Sequence, residues 1–455
     1  MNIPIENNQK RFLPIVAAIS FFMAALDSTA VNTIIPYLSN FFNTPLFKTK
    51  NIIIYYMVAG SLFIPLTGYL CQKHGCRIIF CLSLAIFTSG SLLCGLSHNL
   101  NELLIARIIQ GSGGALMLPI GRLAIIQTFS KDELVKALSM VTLPALTGPL
   151  IGPIVGGMIT SYFHWSLIFL INIPFGILGI IFALRIFPDI KDKSIKMDYT
   201  GYGIFAISIA FLTYALSLFS ETKQFKIPTL ILVLGILLMI FYWIKSYNHK
   251  HPLFHHNLFK VRSFTIGIFG NIVARIGCGA VPFMLPLMLQ ILLGLSPVKC
   301  GFAMLPLAIA SFVGKSFVDQ IIRQTGYRRF LFINTILLSF SYISYVTVTS
   351  SSSWTLLVVL ILITGFINSI QFTAMNTVTV IDLSFRKQPS GSGLLSTVMQ
   401  LSMASGVAVS AILLNVDQSL HPNSAPAMHF HFTWFWLSIT TLFSSFIFWF
   451  LPKGK

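Results

Sequence analysis

The sequence predicts an all-α polytopic membrane protein with fourteen transmembrane helices. Long apolar runs alternate with short polar joints along nearly the whole chain of 455 residues. Hydrophobic residues make up 55% of the chain and charged residues only 9%, whereas a soluble domain usually carries about 25% charged residues. The joints leave no room for a soluble domain, so the composition excludes a large extramembrane enzyme.

Each predicted span is an apolar run of about 19 to 30 residues. At ~1.5 Å per residue, ~20 helical residues cross a bilayer core ~30 Å thick. The predicted spans are 13–38, 52–71, 78–97, 103–128, 136–161, 166–187, 201–219, 228–247, 263–292, 299–322, 330–349, 354–380, 390–415 and 429–451.

The basic charge of the chain follows its topology. The formal net charge is +18, which by itself could suggest a nucleic-acid partner. With a cytoplasmic N-terminus, however, most Lys and Arg residues fall in or beside cytoplasmic joints, as the positive-inside rule requires. We therefore predict that both termini are cytoplasmic and that nucleic acid is not a partner.

The two longest joints, 188–200 and 248–262, flank a hairpin of two spans. The hairpin holds no intramembrane charge, and we predict that it is peripheral. Without it, six spans remain on each side, the pattern of a duplicated unit. The predicted organisation is a six-helix bundle at 1–187, a linker with two extra helices at 188–262, and a six-helix bundle at 263–455.

A short sequence echo supports the duplication. Gly75-Cys76-Arg77 follows the second span, and Gly326-Tyr327-Arg328 follows the second span of the second half.

The joint after the hairpin contains the histidine-rich run 248–256, but no acidic residues accompany it, so a solvated linker is favoured over a metal site. No phosphate-binding loop, catalytic triad or zinc spacing occurs. We predict no enzyme activity, no metal and no cofactor.

Asp27 lies near the middle of the first span. An isolated carboxylate at that depth costs several kcal/mol unless it is paired, hydrated or protonated. A carboxyl group whose protonation depends on its surroundings is what a proton-coupled carrier requires. The alternative is a structural acid that holds two helices together.

Arg275 lies near the middle of the ninth span, which begins the second half. If the halves are duplicates, Asp27 and Arg275 occupy matching helices at similar depth. They could then face one cavity and pair in one state of a transport cycle. Alternatively, Arg275 binds backbone carbonyls between helices.

The fourth span carries polar and small residues at three- and four-residue steps, so they share one helix face. Small residues allow close helix approach. Arg122 is nearer the cytoplasmic end and could extend its charge to the membrane surface. The residues that we place on the shared face are Arg107, Gln110, Gly111, Gly114, Leu118 and Gly121.

The fifth span contains two overlapping GxxxG steps, Gly148, Gly152 and Gly156, with Pro149 and Pro153 between them. The glycines predict a flat face for close packing, and the prolines interrupt the backbone hydrogen bonds. We expect a bendable helix with a tight partner.

In the tenth span, Lys315 and Asp319 are four residues apart, so they can pair on one helix face.

These motifs resemble those of the fourteen-span drug:proton antiporters of the EmrB/QacA type, in the major facilitator superfamily. The resemblance covers nearly the whole chain, and the two extra spans fit the fourteen-span branch. The matching segments are LDSTAVNTIIP at 26–36, GYLCQKHGCR at 68–77, ARIIQGSGG at 106–114, GPLIGPIVGG at 148–157, WSLIFLINIPFG at 165–176 and LGLSPVKCG at 293–301. The resemblance implies the major facilitator fold, with two six-helix bundles and an inserted two-helix hairpin.

One departure concerns the signature loop 68–77, where the family normally has Asp and this chain has Gln72. In the family that Asp is thought to help latch the cytoplasmic gate. In this chain the latch of the cytoplasmic gate would depend on Gly68, Gly75, Arg77 and neutral hydrogen bonds. Otherwise the latch is weaker than in the family.

Together, these observations predict a proton-coupled antiporter that exports small organic molecules, of the multidrug-efflux type, by alternating access. Asp27 and Arg107 are the predicted proton-coupling residues. The predicted substrate cavity contains Asp27, Asn32, Gln110, Arg122 and Arg275. The expected setting is the bacterial cytoplasmic membrane, with protons and a small molecule as partners and a monomer as the working unit.

Two alternatives remain open. Cationic side chains within the spans (Arg107, Arg122, Arg275 and Lys315) outnumber acidic ones, which disfavours a dedicated site for strongly cationic drugs. A dedicated exporter of an anionic or zwitterionic metabolite, such as a siderophore or organic acid, is therefore the first alternative. A non-transporting scaffold or sensor is the second, although no soluble signalling domain accompanies it.

Overall fold

A computed structural model describes residues 7–189, 197–222, 225–247, 249, 252–384 and 387–452, and every regular element within these ranges is helical. Short 3₁₀ turns occur at Ile64–Leu66, His256–Leu258 and Ser344–Thr347. The α-helices are α1 Asn7–Phe41, α2 Leu46–Thr49, α3 Asn51–Phe63, α4 Thr67–His74, α5 Cys76–Gly95, α6 Leu100–Thr128, α7 Lys131–Tyr162, α8 Leu167–Leu170, α9 Asn172–Ile186, α10 Tyr199–Phe219, α11 Lys226–Tyr247, α12 Arg262–Ile291, α13 Pro297–Ala303, α14 Leu305–Ile343, α15 Trp354–Val380, α16 Gln388–Leu420 and α17 Pro426–Trp449.

The all-helical architecture matches the predicted fold class. Twelve helical stretches in the described part of the chain are long and apolar enough to cross a membrane. One of them, Pro297–Thr347, covers both predicted spans 299–322 and 330–349, and α7, 32 residues long, is not among the twelve. The number of fourteen spans stays a prediction.

Several predicted spans are interrupted within their helical stretches, among them 299–322, which is divided between α13 and α14 at Met304. The run 52–71 is divided into α3, a 3₁₀ turn and α4, with Pro65 at the start of the turn. Proline lacks a backbone N–H, which favours such a break. The run 166–187 is divided between α8 and α9 at Ile171. Hydropathy alone does not detect these interruptions, because the residues on both sides are equally apolar.

The chain forms two compact units. The first contains Met1–Thr44 and Asn51–Met197, and the second contains Pro45–Lys50 and Asp198–Lys455. The segment Pro45–Lys50, which we call the strap, thus belongs to the second unit although both of its neighbours in sequence belong to the first. The predicted separate linker at 188–262 stays a prediction, and its residues 190–196, 248, 250 and 251 lie outside the described residues.

The predicted hairpin corresponds to α10 and α11, which belong to the second unit. Ser208 Oγ donates a hydrogen bond to the Gly235 carbonyl oxygen at 2.8 Å and joins the two helices. Most of α11 is exposed, including Leu230, Leu237 and Ile244. Apolar side chains exposed along a whole helix suit contact with lipid, in agreement with a peripheral hairpin.

The short motif that is repeated in the two halves also adopts a similar backbone conformation in each half. Gly75 separates α4 from α5 with φ of 95°, and Gly326 interrupts α14 with φ of 72°. Arg77 Nε donates to the Phe187 carbonyl oxygen at 2.6 Å, just beyond the end of α9. The Arg328 guanidinium lies 4.4 Å from the ring centre of Trp449, at the end of α17. In each unit, the arginine after the turning glycine therefore reaches the end of that unit's last helix.

Replacing Gly75 by Ala is expected to destabilise the protein by about 1–3 kcal/mol, because positive φ of this kind is nearly restricted to glycine. Gly68 offers a matched control in the same loop, since a Cβ there would meet nothing within 4 Å. Thermal unfolding of the two purified variants in one detergent measures the difference. Equal unfolding temperatures for Gly75→Ala and Gly68→Ala would contradict the expectation.

The predicted pair of Lys315 and Asp319 is wrong. Both side chains are described, both are exposed on α14, and no ion pair joins them within 4.0 Å. The four-residue spacing does place both residues on one side of the helix. An exposed pair is worth only about 0–1 kcal/mol, which is too little to hold two long side chains in one geometry.

Candidate functional site

The first unit buries a carboxylate within a set of hydrogen-bond donors. Asp27, on α1, is 1% exposed. Arg107 Nη1 donates to Asp27 Oδ2 at 2.6 Å, and Gln110 Nε2 donates to Oδ1 at 2.8 Å. Asn172 Nδ2, at the start of α9, also donates to Oδ1, at 3.2 Å. Asp27 is thus the acceptor of one ion pair and two neutral hydrogen bonds.

Arg107 is as deeply buried as Asp27, at 1% exposed. It also donates to Gln110 Oε1 at 2.6 Å and to the Ile52 carbonyl oxygen at 3.2 Å. Its guanidinium carbon lies 4.2 Å from the ring centre of Tyr56, on α3. A cation over an aromatic face is attracted by the ring quadrupole, and more strongly where water is excluded. The Arg107 guanidinium therefore has hydrogen-bond acceptors and an aromatic ring as partners on several sides.

Gln110 connects the ion pair to α5. It donates to Asp27 and to Ser91 Oγ, at 2.7 Å, while its carbonyl accepts from Arg107. Asp27, Arg107, Gln110 and Asn172 form what we call the Asp27 network. The first three each have partners on at least two other helices. A proton added to Asp27 would cancel the charge that holds Arg107, so the network has the parts of a two-state element.

The glycines of α7 pack against the part of α1 that carries Asp27. A Cβ at Gly148 would come within 2.6 Å of Ala25 Cβ, and one at Gly156 within 2.6 Å of the Ala30 carbonyl oxygen. A Cβ at Gly152 would overlap Thr29 Oγ1. The flat face predicted from the overlapping GxxxG steps is thus used for close packing, and its partner is the segment next to Asp27.

The buried face of α6 agrees with the sequence except at Leu118, which is 38% exposed. The spacing does place Leu118 on that face, within ~20° of Arg107 in projection, but the neighbouring helices leave this position uncovered. The other predicted members of that face are buried. Gly114 approaches the Tyr56 hydroxyl, and Gly121 approaches the ring of Phe21.

Two other predicted site residues of the first unit lie outside the Asp27 network. Arg122 is exposed near the end of α6 and forms no ion pair with any described residue. Asn32 is 8% exposed on α1, and its Oδ1 is buried without a hydrogen-bond partner in the described part of the chain. A buried oxygen without a donor is available to a ligand.

In the signature loop, Arg77 uses a backbone carbonyl, that of Phe187, as its acceptor. Gln72, which stands where the family has Asp, is half-buried on α4. Pro149 and Pro153 lie inside α7, which continues through both. The gating role of these residues stays a prediction.

Arg275 belongs to the second unit and is 1% exposed on α12. Its Nε donates to Asn271 Oδ1 at 3.0 Å and its Nη2 to Asn376 Oδ1 at 2.8 Å. Its guanidinium carbon lies 4.4 Å from the ring centre of Phe372. These partners are side-chain amides and an aromatic ring, and no described carboxylate pairs with Arg275. The pairing of Asp27 with Arg275, which belong to different units, stays a prediction.

Sequence reasoning missed several partners of these charges, among them Tyr56, Asn172, Asn271 and Asn376. Asn172 is the clearest case, because it stands alone in the apolar run of α8 and α9. A polar side chain at membrane depth is costly and usually has a partner. That signal could have indicated Asn172. Tyr56 gave no comparable signal, since an aromatic residue in a span usually faces lipid or the core.

No group of three or more His, Cys, Asp or Glu side chains within the described ranges could hold a metal ion.

Comparison with known proteins identifies the family. A sequence model described as Major Facilitator Superfamily matches residues 17–407. The chain belongs to the major facilitator superfamily. The resemblance drawn from the motifs is confirmed, and the protein is a multi-pass membrane transporter of this superfamily.

Two curated relatives with the same name match nearly the whole chain. The chain is 36% identical over 437 residues to the "Putative multidrug resistance protein MdtD" of Escherichia coli O157:H7 (strain EC4115 / EHEC), which covers 95% of this chain and 93% of the relative. It is 37% identical over 438 residues to the protein of the same name from Shigella flexneri serotype 5b (strain 8401), with the same coverage.

Two solved transporter structures share the fold. A bacterial homologue of the human lysosomal transporter Spinster, in an inward-facing conformation, has a TM-score of 0.67 at 13% identity and covers 98% of this chain and 97% of its own. A D-xylose–proton symporter has a TM-score of 0.69 at 14% identity and covers 97% and 98%. At these identities the likeness shows the major facilitator fold alone.

Proposed function

We propose that this transporter is a proton-coupled antiporter that exports small organic molecules, of the multidrug-efflux type, across the bacterial cytoplasmic membrane by alternating access. The buried Asp27–Arg107 ion pair, at 2.6 Å, carries the proposal. Asp27 is the group that binds the proton. Arg107 is its counter-charge, and it is released when the proton arrives. The name of the curated relatives supports the multidrug class.

The proposal assigns a coupling role to the packing of α7 on α1. The backbone of α1 next to Asp27 is in contact with Gly148, Gly152 and Gly156. A change in the bend of α7 would therefore shift the position of the Asp27 carboxylate relative to its donors. Helix-interior prolines favour bending. In this proposal the proton state of Asp27 and the conformation of α7 change together.

The proposed setting has both termini in the cytoplasm and the protein acting as a monomer. Its partners are protons, the lipid bilayer and a small-molecule substrate. Asp27, Asn32, Gln110, Arg122 and Arg275 are the proposed substrate-cavity residues. Among these, Asn32 offers an unpaired acceptor, and Arg122 and Arg275 offer donors.

Export is expected to stop when the proton gradient collapses. The experiment uses purified protein in liposomes with an imposed pH gradient and a panel of labelled organic substrates. An uncoupler should abolish uphill accumulation while leaving downhill exchange in place. Accumulation that continues unchanged after the uncoupler is added would refute proton coupling.

Arg275 favours one second candidate function, the export of an anionic or zwitterionic metabolite. A buried guanidinium with only amide and ring partners can still gain from a carboxylate, because charge-assisted hydrogen bonds are about twice as strong as neutral ones. Under this candidate, Arg275→Gln should weaken the transport of carboxylate substrates by about tenfold or more. Uncharged substrates should be unaffected. An equal loss for both classes would count against the candidate.

A further inference from the structure

The second unit encloses a cavity of about 300 Å³ that is separate from Arg275 and its partners. This volume is at the lower end of the range for small-molecule sites, which is about 300–1,000 Å³. The cavity is formed by the strap, the last turns of α12, the last turns of α16 and the start of α17. Its walls are largely apolar and include Phe47, Phe283 and Leu414. Three polar side chains, Gln418, Ser424 and His429, also line it.

A buried carboxylate lies directly behind one of these polar side chains. Asp417, on α16, is 4% exposed. His429 Nδ1 is 2.6 Å from Asp417 Oδ2, and His421 Nδ1 is 3.0 Å from Oδ1. An ionised carboxylate only accepts hydrogen bonds. Both Nδ1 atoms must therefore carry protons, and the hydrogen-bond network assigns this tautomer.

The tautomer determines what His429 offers to the cavity. With its proton on Nδ1, a neutral imidazole has a free lone pair on Nε2 and can accept a hydrogen bond there. His429 is therefore an acceptor backed by a negative charge, at the edge of an otherwise apolar cavity.

The other charged groups on the lining elements leave this polar end negative while the histidines are neutral. On the strap, Lys48 is exposed and Lys50 is buried; Lys50 interacts electrostatically with Glu221, which follows α10. On α17, His431 Nε2 is 2.8 Å from the Val348 carbonyl oxygen and does not face Asp417. On α12, Arg275 lies two turns before Phe283 and is held by its own amide partners.

We propose that this cavity binds a small amphipathic amine, with its aryl or alkyl body against the apolar walls and its ammonium group donating to His429 Nε2. The site goes beyond the proposed function, because it is separate from the Asp27 network and binding needs no proton gradient.

The test measures binding by calorimetry to the full-length protein in lipid nanodiscs at pH 8, with 4-phenylbutylamine as the probe. The neutral analogue 4-phenylbutan-1-ol and the anion 4-phenylbutyrate have the same body, and empty nanodiscs correct for partition into lipid. We expect the amine to bind at least about tenfold more tightly than the alcohol, since a hydrogen bond to a charged group is worth that much. Equal affinity of amine and alcohol at pH 8 would overturn the proposal.

A matched pair of substitutions locates the binding. Leu414→Trp fills the cavity, whereas Leu420→Trp makes the same change on an exposed position of α16, where Leu420 is 67% exposed. Only Leu414→Trp should abolish binding of both probes. Native-like binding to Leu414→Trp would show that the probes bind elsewhere, and this result does not require Asp417 to be altered.

A substitution behind His429 tests the polar end. Asp417→Asn removes the negative charge behind the imidazole, so at pH 8 it should reduce the affinity for the amine to that for the alcohol. An affinity for the amine in Asp417→Asn equal to that of the native protein would refute the role of the polar end.

Discussion

Asp27→Asn is expected to abolish proton-coupled transport and to destabilise the protein. The substitution preserves shape but removes the group that binds the proton. It also leaves Arg107 buried without its carboxylate, and breaking a buried pair by removing one partner costs about 3–5 kcal/mol. From the sequence alone, Asn at this position would relieve an isolated buried charge at little cost. The ion pair reverses that expectation for stability.

The double variant Asp27→Asn with Arg107→Gln provides the control for stability. It removes a matched pair, so its unfolding temperature should lie above that of either single variant, while its coupled transport should remain lost. The measurements are thermal unfolding and efflux under a pH gradient in proteoliposomes. Stability losses that simply add in the double variant would show that the two residues do not act as a pair. Coupled efflux by Asp27→Asn would rule out Asp27 as the proton carrier.

The same cycle with Arg275→Gln in place of Arg107→Gln tests the pairing predicted between the two halves. A coupling free energy between Asp27 and Arg275 would mean that they meet in one state of the cycle. Strict additivity would mean that they do not.

Gly152→Leu is expected to abolish transport while the protein remains inserted in the membrane. Even a Cβ at this position would overlap the Thr29 hydroxyl, two residues beyond Asp27. A branched side chain would force α7 away from α1 and displace the Asp27 carboxylate. Overpacking of this kind typically costs ~1–3 kcal/mol. The measurement is efflux per molecule of membrane-inserted protein.

Gly203→Leu, on α10, is the matched control, because a Cβ there meets nothing within 4 Å and Gly203 has no assigned role in the site or the gate. Gly152→Ala should be intermediate, and adding Thr29→Ala should restore part of its activity by removing the hydroxyl that the new Cβ meets. Native-like efflux by Gly152→Leu would show that the α1–α7 contact is not needed for transport. Failure of Thr29→Ala to improve Gly152→Ala would place the defect in another contact.

The sequence by itself determined the membrane class and the superfamily, and it revealed the charged side chains within the spans. Hydrophobic spans are recognisable because lipid permits few polar side chains, so Asp27, Arg107 and Arg275 stand out in the linear sequence. The steps of three and four residues indicated the flat face of α7. Gly75 and Gly326 could be related because glycine is the residue that a turn with positive φ requires.

Only the tertiary structure decided which residues are partners. Asp27 pairs with Arg107, 80 positions away in sequence, and receives a further hydrogen bond from Asn172, 145 positions away. Neither separation has a period that a sequence pattern can reveal. The exposure of Leu118 and the absence of an ion pair between Lys315 and Asp319 have the same origin. Periodicity places residues on one side of a helix, but the neighbouring helices decide whether that side is buried and which charges meet.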